Sequence, residues 1–156
     1  MCSLENLAPV LLVEDNDDDV ELTLLALSES KLANPVIVVR DGAEALDFLF
    51  ARGNYSHRDP KVLPQVILLD LNLPKLGGHE VLRQMRSDER TKTVPVVVLT
   101  TSKEDEDVLK SYNLGANSYV RKPVEFERFT TAVKNLSVYW VLLNESSHAE
   151  IKRRSL

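Results

Sequence analysis

The sequence predicts an α/β domain built on a doubly wound, five-stranded parallel sheet with five helices. Two observations predict it. Short apolar runs, several of them β-branched, recur five times along the chain. Between them lie segments whose apolar residues fall at helical spacing. The runs are apolar at consecutive rather than alternate positions, the pattern of strands covered on both faces. Strands that alternate with helices then give a parallel sheet.

The elements follow in order. Val10–Val13 is a first strand, apolar throughout. From Asp17 the spacing changes: Val20, Leu24, Leu27 and Leu25, Leu32 recur at helical intervals and give a first helix to about Leu32. Val36–Val39 is β-branched throughout and forms a second strand. Asp41 can cap a second helix through Phe50, with Leu46, Leu49 and Phe50 on one face. Arg52–Gln65 has no period and contains Gly53, Asn54, Pro60 and Pro64, so it is a loop. It is long for an α/β unit, where roughly 2–6 residues is usual. Val66–Leu69 is a third strand. Gly77-Gly78 precedes a helix carrying Val81, Leu82 and Met85, and Val96–Leu99 is a fourth strand. Glu104–Leu114 is a fourth helix, ended by Gly115. Ser118–Val120 is a short fifth strand, and a last helix runs from after Pro123 to about Asn144. Right-handed crossovers leave few topologies. The natural five-strand choice is the order 2-1-3-4-5, called flavodoxin-like. One domain over residues 8–144, with an extended last helix, and a flexible polar tail over 145–156 are expected.

Composition bounds the function. The chain has 156 residues, 44% apolar and 28% charged, the make-up of one ordinary globular domain. One cysteine, Cys2, excludes a disulfide scaffold and a cysteine zinc site. A net charge of −5 argues against nucleic acid as the main partner. No apolar run approaches the roughly 18–20 residues of a bilayer span. The N-terminus lacks a basic region, so no secretory signal is expected and the cytoplasm is the expected location.

In an open parallel sheet, ligands bind beyond the carboxyl ends of the strands. Glu14 and Asp15 follow the first strand, Asp70 ends the third, Thr100 and Thr101 end the fourth, and Lys122 and Pro123 follow the fifth. Three carboxylates, hydroxyls and an ammonium therefore converge on one edge. Carboxylates brought together repel, and a hard divalent cation with oxygen ligands relieves that; Mg2+ fits, because it keeps waters and takes one or two carboxylates plus a phosphate. A carboxylate beside Mg2+ can attack a phosphoryl donor and become an aspartyl-phosphate. Lys122 would then hold a phosphoryl oxygen as a point charge, and a Thr hydroxyl can donate to another. Each residue alone has a structural reading: a solvated turn at Glu14-Asp15, a cap at Asp70, a surface lysine at Lys122, a strand-end threonine at Thr100. Their convergence favours the functional one.

These pieces resemble the receiver domain of two-component response regulators. The resemblance rests on Val10–Asn16, on Val66–Pro74 with Gly77-Gly78, on Val98–Thr101, on Gly115-Ala116 and on Tyr119–Pro123, and covers about Ala8 to Leu136. Thirty residues separate Asp70 from Thr100 and 22 separate Thr100 from Lys122, both usual for that family. The resemblance implies that Asp70 is the phosphoacceptor, that Asp15 ligates Mg2+ directly and Glu14 through a water, and that Asn72 offers its backbone carbonyl. It implies Thr100 as the switch hydroxyl, Tyr119 as the switch aromatic, Lys122 as the phosphate-binding lysine and a cis bond before Pro123. Glu14 stands where the family more often has Asp, and Thr101 where a smaller residue is usual. The Arg52–Gln65 loop resembles that of small receivers paired with phytochrome-type sensor histidine kinases. The implied partner is such a kinase. With no effector domain after Leu136, output by protein contact is expected.

Other signals are weaker. Asp15–Asp19 fails as a calcium loop, since the sixth position is Val20 and the twelfth Ala26; Asp17–Asp19 are read as capping the first helix and favouring its positive end. No phosphate-cradling glycine motif occurs. Two rivals stay open. Haloacid-dehalogenase-like phosphatases use the same groups but need an acid two residues after the nucleophile, where this chain has Asn72. A pseudo-receiver would bind partners without phosphate. Finally, Phe126, Phe129, Val133, Leu136, Trp140 and Leu143 recur at helical spacing, and Val138–Leu143 is apolar at every position. A helix apolar all round needs a second buried surface. A homodimer is expected through the face of the fourth helix, fifth strand and fifth helix, with Tyr139, Trp140 and Leu143 at the interface. Folding back onto the same domain is the alternative.

Overall fold

The computed structural model describes residues 8–29, 34–101, 114–123, 127–128 and 131. Five strands form one sheet: β1 (Val10–Val13), β2 (Val36–Val39), β3 (Val66–Asp70), β4 (Val96–Thr100) and β5 (Ser118–Arg121). Their order is β2-β1-β3-β4-β5 and every neighbouring pair is parallel. This is the expected doubly wound topology. The last three strands each run one residue further than the apolar runs, because Asp70, Thr100 and Arg121 continue the ladder. Three helices are described: α1 (Asp17–Glu29), α2 (Gly42–Leu49) and α3 (Gly78–Ser87). The fourth expected helix lies outside the described residues except for Leu114, which is not helical. Of the last one, Glu127, Arg128 and Thr131 are helical and the rest is outside them.

The alternation of strand side chains divides the core. Leu11, Val13, Ile67, Leu69, Val96 and Val98 point to one face, where they pack with Ala45, Leu46 and Leu49 of α2 and Val81, Leu82 and Met85 of α3. Val10, Leu12, Val66, Leu68, Val97 and Leu99 point to the other, against Val20, Ala26 and Leu27 of α1. Both faces are covered, so β1, β2 and the stretches Val66–Leu69 and Val96–Leu99 are apolar at consecutive positions.

Helix α1 corrects the expected apolar face. Val20, Thr23, Ala26 and Leu27 are buried, whereas Leu24 and Leu25 are 36% and 57% exposed. Leucines lie on most sides of this helix, so their spacing admits several faces, and the sheet selects the one with two small residues. Its cap differs too. Asn16 Oδ1 accepts the Asp19 N–H at 3.0 Å and Asn16 O accepts that of Val20 at 3.0 Å, so Asn16 caps the helix and Asp17–Asp19 are its first turn. Asp41 caps α2, its Oδ1 accepting the Glu44 N–H at 2.7 Å.

The long loop is tied down. A 3-10 turn at Gly53–Tyr55 places the Tyr55 ring edge-on to Phe48, with centroids 5.2 Å apart, and the Tyr55 hydroxyl donates to Glu44 Oε2 at 2.8 Å. Arg58 packs over the same ring: its guanidinium lies 3.7 Å from the Phe48 centroid and donates to the carbonyls of Phe48 and Val62.

Candidate functional site

The parallel register brings the carboxyl ends of four strands to one edge. Val13 pairs with Leu69, Asp70 with Leu99, and Thr100 with Arg121. Glu14 and Asp15 therefore leave the sheet beside Asp70, and Lys122 leaves it beside Thr100. The Lys122 N–H donates to Thr100 O at 2.8 Å, and the Lys122–Pro123 bond is cis. Lys122 Nζ lies 2.8 Å from Glu14 Oε2, 3.0 Å from Asp19 Oδ2 and 3.0 Å from Asp70 Oδ2. One carboxylate oxygen from each of Glu14, Asp15 and Asp70 lies within 4.8 Å of the other two.

The loop after Asp70 is held against it. The Asn72 N–H donates to Asp70 Oδ1 at 3.1 Å. Lys75 has φ +63° at the centre of a γ-turn, closed by the Leu76 N–H on Pro74 O at 2.7 Å. Gly78 then lets α3 begin on the backbone of β3. A Cβ at that position would meet Asp70 O at 2.4 Å and Leu71 Cα at 2.8 Å, so only glycine permits the approach.

Thr100 is buried at the end of β4, one residue past the partner of Asp70. Tyr119 is half-buried and packs on the core face covered by α2 and α3. Asp15, Asn72 and Thr101 are exposed. Tyr139, Trp140 and Leu143 lie outside the described residues.

Burial sets the electrostatics. Glu14 is fully buried, and this desolvation raises its pKa from 4.5 to about 7; Lys122 opposes the shift and the neighbouring Asp70 carboxylate adds to it. Burial works against the Lys122 ammonium, but Glu14, Asp19 and Asp70 outweigh it and its pKa is raised. Glu14 Oε1 accepts the Asn16 N–H at 3.2 Å. Glu14 Oε2 faces Lys122 as an ion pair without a directed hydrogen bond. A buried carboxylate oxygen lacking a directed donor, in an oxygen-only cluster, suits a hard divalent cation.

Sequence reasoning missed Asp19. It was assigned to the helix end with Asp17 and Asp18, yet its carboxylate turns to Lys122. No local signal marked it, because Asp17, Asp18 and Asp19 follow one another in the first turn of α1 and only the fold shows which of them faces the sheet edge.

A family model for the response regulator receiver domain matches residues 10–134. The chain belongs to the response regulator receiver family. This receiver is 53% identical to the bacteriophytochrome response regulator RtBRR, whose solved structure superposes with a TM-score of 0.84 and covers 95% of this chain and 90% of that one. The bacteriophytochrome response regulator AtBRR is 52% identical, with a TM-score of 0.83 over 90% of this chain and 99% of that one. Response regulator Rcp1 from Synechocystis sp. is 39% identical over 85% of this receiver and 88% of its own length. A crystal structure of Rcp1 in its Mn2+-bound form superposes with a TM-score of 0.68 at 38% identity, covering 86% of this chain and 94% of that one. Receivers of this family hold Mg2+ or Mn2+ at an acidic site and work with sensor histidine kinases. Among the described residues, no helix is long and apolar enough to cross a membrane.

Proposed function

We propose that this receiver accepts a phosphoryl group on Asp70 from a sensor histidine kinase and passes the signal on by protein contact. The observation that carries the reading is the Lys122 ammonium, 3.0 Å from Asp70 Oδ2, beside the cluster of Glu14, Asp15 and Asp70. An Asp70 carboxylate oxygen attacks phosphorus, the P–N bond of the phosphohistidine breaks, and the imidazole leaves with the electron pair. Little covalent work remains for the protein, which positions the groups and balances charge. Lys122 supplies a cation to the phosphoryl oxygens. Asp15, Asp70 and the Asn72 carbonyl would hold Mg2+, with Glu14 acting through a water. Bound Mg2+ would neutralise the charge that develops on the transferring group.

The likeness to RtBRR and AtBRR supports a kinase of phytochrome type. Thr100 and Tyr119 carry the switch, and the unit works in the cytoplasm as a signalling protein rather than as an enzyme on a separate substrate. Its domain spans residues 8–144, and the last helix pairs two copies.

Asp70→Asn tests the central claim. Incubated with Mg2+ and a phosphorylated histidine kinase, wild type gains acid-labile phosphate and Asp70→Asn gains none while keeping the wild-type circular dichroism spectrum. Labelling of Asp70→Asn at the wild-type rate would refute the assignment.

A further inference from the structure

We propose that Asp19 is a positioning residue for Lys122, holding its ammonium at the phosphoacceptor while the other carboxylates change partners. The inference rests on the phosphoacceptor reading of Asp70. An ammonium has three donors, and here three carboxylates surround it: Glu14 at 2.8 Å, Asp19 at 3.0 Å and Asp70 at 3.0 Å. Two of the three belong to the oxygen cluster with Asp15. Asp19 does not, and it is the carboxylate whose role phosphoryl transfer leaves unchanged.

Transfer from acetyl phosphate shows the difference. The new bond joins an Asp70 carboxylate oxygen to phosphorus, the bond from phosphorus to the acetate oxygen breaks, and acetate leaves with the electron pair. Asp70 becomes a mixed anhydride and its carboxyl loses its charge. Glu14 serves the cation side of the site. Asp19 then remains as the fixed anion for Lys122. It is fixed because its own N–H is bound by the cap Asn16 at 3.0 Å and because the neighbouring Val20 is buried against the sheet. Arg40 does not compete, since in the same turn it pairs with Asp17 at 2.5 Å. The pair is shielded as well: the Lys122 side chain is 9% exposed and that of Asp19 30%. A lysine stem has four rotatable carbons, and without a tether its ammonium disperses over many rotamers.

The experiment compares wild type, Asp19→Asn, Asp19→Glu and Asp18→Asn. Asp18 is an exposed acid in the same helical turn, so its variant controls for charge at the helix end. In Asp19→Asn, phosphorylation by acetyl phosphate slows about tenfold, the worth of one charge-assisted hydrogen bond. Asp19→Glu regains most of the rate and Asp18→Asn keeps it. Mg2+ affinity by calorimetry stays near wild type, because Asp19 is outside the oxygen cluster. In the metal-free protein, the Lys122 15Nζ NMR signal is sharp in wild type and broad in Asp19→Asn, a readout that general destabilisation of the helix would not give. A wild-type rate with an unchanged Lys122 signal in Asp19→Asn overturns the proposal, and so does equal slowing in Asp18→Asn. Wild type that takes no phosphate on Asp70 overturns the phosphoacceptor reading instead, while the Lys122 signal still reports on the tether.

Discussion

Glu14 shows how a single buried carboxylate couples the site to pH. Its pKa in the folded protein is raised from 4.5 to about 7, chiefly by burial. Between those values the native state holds a proton that the unfolded chain has released. Stability therefore falls as pH rises through that window, by on the order of 3 kcal/mol. Urea midpoints of the metal-free protein at pH 5 and pH 7.5 measure it. Glu14→Gln should flatten the slope, and saturating Mg2+, which favours the carboxylate, should weaken it in wild type. An equally steep slope in Glu14→Gln would assign the effect to other groups. Thr100 is buried at the end of β4, and Tyr119 packs half-buried on the neighbouring strand β5. A phosphoryl group can shift the protein only through contacts that differ between two states. Wild type should show beryllofluoride-induced amide shifts around Tyr119, and Thr100→Ala should still accept phosphate but lose them. Wild-type spectra identical with and without beryllofluoride would count against this switch.

At the scale of elements, the sequence read strands better than loops and helix faces. A strand covered on both sides shows itself as a run of consecutive apolar residues, because no position can face water. A helix face is a choice among angles, and α1 carries leucines on most of them. Loop anchoring is less visible still. Tyr55 and Arg58 hold the long loop through Phe48, a residue of α2. Arg86 does the same for the start of β5. From α3 its guanidinium donates to Gly115 O at 2.9 Å, Val94 O at 2.8 Å, Lys92 O at 3.0 Å and Asn117 Oδ1 at 3.1 Å. Asn117 Oδ1 also accepts the Val96 N–H at 2.8 Å, so one cluster ties α3, β4 and β5 together. Arg86→Ala leaves several carbonyls without a donor and should cost about 2–4 kcal/mol, read as a lower urea midpoint with an unchanged m-value. A loss below 0.5 kcal/mol would mean that water replaces the guanidinium without penalty.

At the scale of the whole molecule, the sheet order turns residues far apart in the chain into neighbours. Lys122 and Asp19 are 103 positions apart and their charged atoms lie 3.0 Å from one another. The expected interface residues Tyr139, Trp140 and Leu143 of the proposed homodimer lie outside the described residues, and the apolar run Val138–Leu143 motivates the pairing. Light scattering at tens of micromolar should give a dimer for wild type and a monomer for Trp140→Glu. An unchanged dimer in Trp140→Glu would move the interface elsewhere. The strands, their parallel sheet and the acids, threonine and lysine at its carboxyl edge are legible in the sequence, because burial on two faces and polar residues at strand ends are local properties of the chain. Which face of α1 is buried, what anchors the long loop and β5, and that Asp19 is a partner of Lys122 rather than a helix cap came from the fold alone. Those outcomes depend on distances between elements, and a charge at a helix start has the same sequence signature whether it faces water or an ammonium across the sheet edge.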